Sequence, residues 1–375
     1  MSLTFHWFLP TTGDSRSLVG GGHSLPADVA RGGGPENTAG RYREPDLDYL
    51  VDVARTAERL GFEGVLTPTG TPCEDAWVVT SALLAHTQRL KFMVALRPGL
   101  ISPTLLAQMS STFQRISGDR LLLNVVVGGD PSEQLRFGDQ VTKDDRYHRA
   151  EEFLEVFRAA FTEAGSTFTG DYYDVQDART RKPGTVPPIY LGGSSAAAGP
   201  VTARQVDTYL TWGEAPEAVA EKIAWIRKLA DDEGRQVKFG IRLHTISRDT
   251  SEEAWAVADR MLTELDPADV AKAQQALASS ESEGQRRMRE LHGGVAPTDA
   301  RSLEVHPGLW AGVGLVRSGA GTALVGSHGE VADLIGEYAD LGIEEFVLSG
   351  YPHVEEAYWF AEGVRPILAA RGLVG

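Results

Sequence analysis

The sequence predicts a (β/α)8 barrel, the TIM-barrel fold, and three observations predict it. Runs of β-branched and apolar residues alternate with amphipathic stretches almost from end to end, the rhythm of a parallel sheet covered by helices. The strand-like runs number eight, at 3–9, 62–66, 90–95, 121–126, 188–191, 208–211, 239–244 and 345–348. The 375-residue length, 42% hydrophobic content, 41 Gly and 19 Pro supply a large core with many punctuated turns. An open doubly wound sheet is the competing architecture, but it more often uses fewer strands.

In chain order, MSLTFHWFLP is apolar but short, with no basic flank and no small-residue cleavage site after it, so it reads as a buried first strand rather than a signal segment. Residues 13–45 are rich in Gly, Pro and polar residues, include Gly32-Gly33-Gly34, and read as a long mobile loop and flexible cover. Helical spacing of apolar positions then recurs at 46–60, 74–86, 104–117, 146–163, 215–233, 251–265, 328–341 and 354–370. Residues 266–326 form a second insertion, a Gln/Ala/Ser-rich helical patch followed by the Gly-rich run AGVGLVRSGAGTALV. No internal repeat and no linker divides the chain, so residues 1–375 are expected to form one barrel domain carrying these two insertions.

With 36 Lys plus Arg against 52 Asp plus Glu, the net charge is −16, which argues against nucleic acid and anionic membrane surfaces as partners. The apolar runs fall short of a membrane span. Cys73 is the single cysteine, so no intramolecular disulfide can form, and a reducing cytoplasm is the expected compartment. The nine histidines show neither HxH nor HExxH spacing, and no metal site is expected.

Chemistry in this fold sits at the carboxyl ends of the strands. Arg242 and His244 in FGIRLHTI are two apart and share one side of a strand. A guanidinium buried there suits a planar oxyanion, or else pairs with a neighbouring carboxylate while His244 is bonded in the core. In PIYLGGSSAA, Gly193, Ser194 and Ser195 precede a helix start and can cradle a phosphate, though a Ser N-cap explains the serines equally well. Cys73 precedes an acidic first turn, which favours an inert thiol over a nucleophile. At the last strand, Tyr351 and His353 can donate to an oxyanion and relay a proton, or serve a structural turn. Asn124, inside an apolar strand, needs a partner that is either a ligand or a backbone group.

The blocks FHWFLPTTGD, TPTGTPCEDAW, LKFMVALRPG, TYLTWGE, FGIRLH, LWAGVGLVRSGAGTALVG and EEFVLSGYPHVEEAY, in this order, resemble the bacterial luciferase-like flavin monooxygenases, in particular the alkanesulfonate monooxygenase branch. The resemblance implies an FMNH2-dependent enzyme: an NAD(P)H-dependent flavin reductase supplies reduced FMN, which reacts with O2 and oxygenates a sulfonate to an aldehyde and sulfite. It places Arg242, His244, Trp212, Arg317, Tyr351 and His353 around the substrate, with Cys73 lining the flavin pocket near the reacting end. It assigns Asn124 to the flavin ring and Tyr147, Ser194 and Ser195 to its phosphate. The segment carrying Arg317 becomes a mobile lid, and a homodimer or homotetramer is the expected assembly. Two departures stand out. Thr12 occupies a position where relatives often carry His, and the loop 18–44 is longer than expected, which leaves a sulfone or another small organosulfur substrate open. A deazaflavin-dependent oxidoreductase on the same scaffold is the alternative chemistry.

Overall fold

The computed structural model describes residues 2–19, 42–162, 164–182 and 184–375. Eight parallel strands close into a barrel: β1 Thr4–Phe8, β2 Gly64–Thr67, β3 Lys91–Leu96, β4 Leu121–Val125, β5 Ile189–Leu191, β6 Thr208–Trp212, β7 Lys238–Arg248 and β8 Glu345–Ser349. Each pairs with its neighbours in chain order, and β8 returns to β1 through Phe5 opposite Phe346, so no strand edge is left open within the ring.

Alternation along the strands explains two of the three buried apolar clusters among the described residues. Phe8, Leu66, Met93, Leu122, Tyr190, Leu210 and Val347 point inward and pack as one cluster in the lumen. Their neighbours, such as Trp7, Val65, Phe92 and Phe346, point outward into the layer beneath the helices, where they are fully buried. At about 1.5–3 kcal/mol for each large side chain removed from water, this outer layer is the main source of stability. The amino end of the lumen is closed by a polar plug: Glu345 accepts from the Tyr190 hydroxyl at 2.7 Å and pairs with His6 Nε2 at 3.1 Å. His6 is thereby committed to the floor of the barrel, far from its mouth.

The helices begin where capping residues stand. Ser102 accepts from Leu105 N with Pro103 in the first turn, while Thr250 with Glu253 and Ser327 with Glu330 form reciprocal capping boxes. A helix at Ala198–Gln205 and a two-stranded ribbon, Ser166–Thr169 with Asp174–Ala178, add to the expected elements.

The largest difference lies in the second insertion. Residues 312–326 are expected to be a mobile lid, yet Gly312–Val316 are buried and Ala323–Ser327 is a strand paired in parallel with β7, Ala323 opposite His244. This strand follows β6 along the same edge of β7, since Arg242 O and His244 N, which point the same way, bond Gly213 N and Thr322 O. β7 reaches eleven residues because its far half has this extra partner. Here the glycines allow close packing. A Cβ on Gly321 would lie 2.8 Å from Gly314 Cα, and one on Gly312 would lie 2.0 Å from the Trp310 ring.

The long loop expected at 13–45 falls mostly outside the described residues; its two ends are tied by reciprocal backbone bonds between Asp14 and Arg43, 2.9 and 2.7 Å. No described helix is long and apolar enough to cross a membrane, and no His/Cys/Asp/Glu group among the described residues could hold a metal.

Candidate active site

At the carboxyl ends of the strands lies a cavity of about 490 Å3, within the ~300–1,000 Å3 typical of small-molecule sites. Phe8, Leu66, Val125, Leu210 and Trp212 give it apolar walls, and charged groups concentrate at two places.

The inner group is built on β7 and β8. Arg242 Nη1 donates to Leu243 O at 2.6 Å and Val347 O at 3.4 Å, and Nη2 donates to Ser349 Oγ at 2.9 Å. Its guanidinium lies 4.8 Å from the centre of the Phe8 ring. None of these partners is a carboxylate, and burial pushes its pKa down to about 9, so it remains a cation with no counter-charge bonded to it among the described residues. Ser349 also lies 2.7 Å from His244 Nδ1, while His244 Nε2 lies 3.1 Å from Ala320 O. The carbonyl can only accept, so Nε2 carries the proton and Nδ1 accepts from Ser349. Burial first, and then the charges of Arg242 and Arg317, hold His244 well below its ordinary pKa. It is a neutral spacer with both nitrogens engaged. Arg317 comes from the insertion, 4% exposed, with its guanidinium carbon 4.7 Å from the Tyr351 ring centre; burial and Arg242 push its pKa down to about 9.

The outer group surrounds the β5 carboxyl end. Gly193 O accepts from Tyr209 Oη at 2.8 Å, and a Cβ on Gly193 would come within 2.7 Å of both Tyr147 Oη and Ala198 Cβ. Only glycine leaves this turn open, with Ser194, Ser195, Tyr147 and Lys143 around it. Burial raises the Tyr147 phenol, which therefore stays protonated and able to donate. Between the two groups, Asn124 lines the cavity from β4 with an amide that bonds no described residue. Its partner is thus not a neighbouring backbone group. A flavin mononucleotide fits this donor set: amide and hydroxyl donors at a glycine cradle for a phosphate, and an unengaged amide beside apolar walls for a ring system.

The sequence profile described as "Luciferase-like monooxygenase" matches residues 3–345. The chain belongs to that family. Among solved structures, a riboflavin lyase, RcaE, determined with modified FMN and riboflavin, is 21% identical with a TM-score of 0.77, covering 100% of this chain and 93% of its own. The EDTA monooxygenase EmoA from Chelativorans sp. BNC1 is 20% identical with a TM-score of 0.73 over 100% and 95%. An F420-dependent secondary alcohol dehydrogenase is 18% identical with a TM-score of 0.65 over 98% and 99%. At these identities the likeness concerns the fold.

In this family member, Arg242, His244, Arg317, Trp212, Asn124, Tyr147, Gly193, Ser194 and Ser195 all line the same cavity. Cys73, Tyr351 and His353 do not. Tyr351 stands just behind the wall, stacked on His244 at 5.3 Å, with His353 edge-on to it at 5.4 Å. Burial pushes the Cys73 thiol up to about 12, which keeps it protonated at neutral pH. Thr12 turns its carbonyl to Tyr42 Oη at 3.0 Å, and its own hydroxyl is buried with no hydrogen-bond partner among the described residues. Glu214 is structural: it is buried against Lys222 Nζ at 2.6 Å and Arg287 Nε at 3.0 Å, which fastens the helix Glu283–His292 to the barrel. Sequence reading missed Ser349, Asp14 and Gln285. Ser349 was within reach, being in step with the inward Glu345 and Val347. Gln285, whose Oε1 accepts from Gly319 N at 3.0 Å, carries no local signal.

Proposed function

We propose that this protein is an FMNH2-dependent monooxygenase of an alkanesulfonate, using O2 and reduced FMN from an NAD(P)H-dependent flavin reductase and working as a homodimer or homotetramer. The observation that carries the reading is Arg242: a buried cation with no carboxylate partner among the described residues, on the wall of a cavity that also contains Arg317. Burying such a charge is costly unless an anion joins it, and two guanidinium groups match a tetrahedral oxyanion such as a sulfonate. That a similar fold serves an EDTA monooxygenase agrees with oxygenation of an organic anion on this scaffold.

Bound reduced flavin would supply the electrons for oxygen activation. The protein's part is binding and exclusion. Gly193, Ser194, Ser195 and Tyr147 would hold the phosphate and Asn124 the ring edge. Arg242, braced by Ser349 and neutral His244, would hold the anion with Arg317 at the inner end, Tyr351 and His353 would back the wall behind them, and Phe8, Leu66 and Trp212 would keep water away.

The test is sulfite release across a graded series of alkanesulfonates and sulfones with a generic flavin reductase. Release that requires both reduced FMN and O2 supports the proposal, and release independent of either refutes it. Arg317→Ala is expected to bind reduced FMN normally while losing most turnover. A parallel titration with FMN and the deazaflavin F420 tests the cofactor, and preference for the deazaflavin would replace oxygenation by hydride transfer.

A further inference from the structure

The most completely enclosed carboxylate near the site is Asp14, just after β1, which is 0% exposed. Oδ1 accepts from Ser15 N at 2.9 Å and faces His353 Nδ1 at 2.8 Å. Oδ2 accepts from His353 N at 2.8 Å and from the Tyr49 hydroxyl. Despite burial, these donors, His353 foremost, hold Asp14 below its ordinary pKa, so it is an anion and can only accept. His353 Nδ1 must then carry the proton.

Nε2, the other ring nitrogen of His353, is buried with no hydrogen-bond partner among the described residues. The Tyr351 hydroxyl beside it is likewise buried and unpartnered. Such atoms are uncommon in folded proteins without a ligand or water to meet them. The His353 ring lies 5.8 Å from Phe8, which lines the cavity and carries Arg242 on its face. One ring thickness therefore separates His353 from the cationic end of the cavity.

We propose that Asp14 is a positioning residue: it locks His353 in the Nδ1-protonated tautomer, leaving Nε2 as an open acceptor just behind the inner wall of the cavity. The use of that acceptor rests on the oxygenase reading above; the tautomer lock does not. The same carboxylate joins Tyr49 and, through the Asp14 and Arg43 backbone pair, both ends of the segment that contains residues 20–41. Arg43 in turn binds Glu355, two residues beyond His353, at 2.9 Å. Orientation of His353 is thus tied to the anchoring of that segment.

The experiment is long-range 1H–15N correlation on the full chain with 15N-labelled histidine, the His353 signals being assigned with His353→Gln. The wild-type protein is expected to show pyrrole-type Nδ1 and pyridine-type Nε2. Asp14→Asn, close in size, is expected to shift His353 toward the Nε2–H form, whereas Tyr49→Phe, which removes another contact to the same carboxylate, leaves the tautomer in place. An Nε2–H form in the wild-type protein overturns the proposal even if Asp14→Asn does not fold, as does an unchanged tautomer in a folded Asp14→Asn. Anaerobic titration with reduced FMN is read separately: absence of binding by the wild-type chain would remove the flavin reading and leave the tautomer result intact.

Discussion

Replacing Arg242 by Met should make the protein more stable and inactive at once. Its pKa, lowered from 12.5 to about 9 by burial alone, corresponds to roughly 5 kcal/mol by which the interior disfavours the cation. Met has similar length and no charge, but it leaves Leu243 O, Val347 O and Ser349 Oγ without their donor, at about 1 kcal/mol each. The balance favours the variant by roughly 2 kcal/mol, in the range found when buried charges are replaced by apolar groups. At about 2.1 cal/mol/K per residue, the unfolding entropy of a 375-residue chain is roughly 0.8 kcal/mol/K, so the melting temperature should rise by about 2–3 °C. Scanning calorimetry with and without an alkanesulfonate checks both halves. A ligand at a hundred times its dissociation constant stabilises by about 2.7 kcal/mol, which should shift the wild-type melting point by about 3 °C and leave Arg242→Met unmoved. A variant that melts several degrees lower, or that keeps the ligand shift, would refute the reasoning.

Three further outcomes follow from other parts of the molecule. Gly193→Ala puts a methyl 2.7 Å from Tyr147 Oη and Ala198 Cβ, and should weaken reduced-FMN binding at least about tenfold in a fluorescence titration while far-UV circular dichroism is unchanged. Burial lowers His292 to about 4 from 6.5, so between those values the unfolded chain binds more protons than the folded one. Stability should therefore fall as pH drops from 6.5 toward 4, by about 3 kcal/mol for this group, and urea titrations of His292→Gln should show a correspondingly shallower slope. Cys73, with its thiol pushed up to about 12, should resist iodoacetamide at pH 7.5 in the folded protein and react after denaturation; rapid labelling of the native chain would contradict its assigned environment.

Much of the barrel was legible because each strand declares itself locally. Buried parallel strands need continuous runs such as LKFMVAL and RLLLNVVV, and the eight expected runs coincide with β1 to β8. The strand Ala323–Ser327 was not legible, because the glycines before it are read locally as freedom, whereas here they let the backbone at Gly314 and Gly321 approach within contact. In the site, Arg242 and His244 were visible through the period of two, and Gly193 through its turn. Asp14 was invisible, since its contact with His353 spans 339 residues. Tyr351 and His353 were drawn to the mouth by their position after β8, but the turn there folds them behind the wall that His244 and Phe8 present.

By itself the sequence determined the architecture, the end of the barrel where polar groups gather, and which side of β7 the two basic residues share, because side-chain direction along a strand follows from local backbone geometry. Whether Arg242 has a counter-charge was decided only in three dimensions. Charge compensation depends on which distant segments meet: β8 brings Ser349 rather than a carboxylate, the insertion brings a second guanidinium, and Asp14 is already committed to His353.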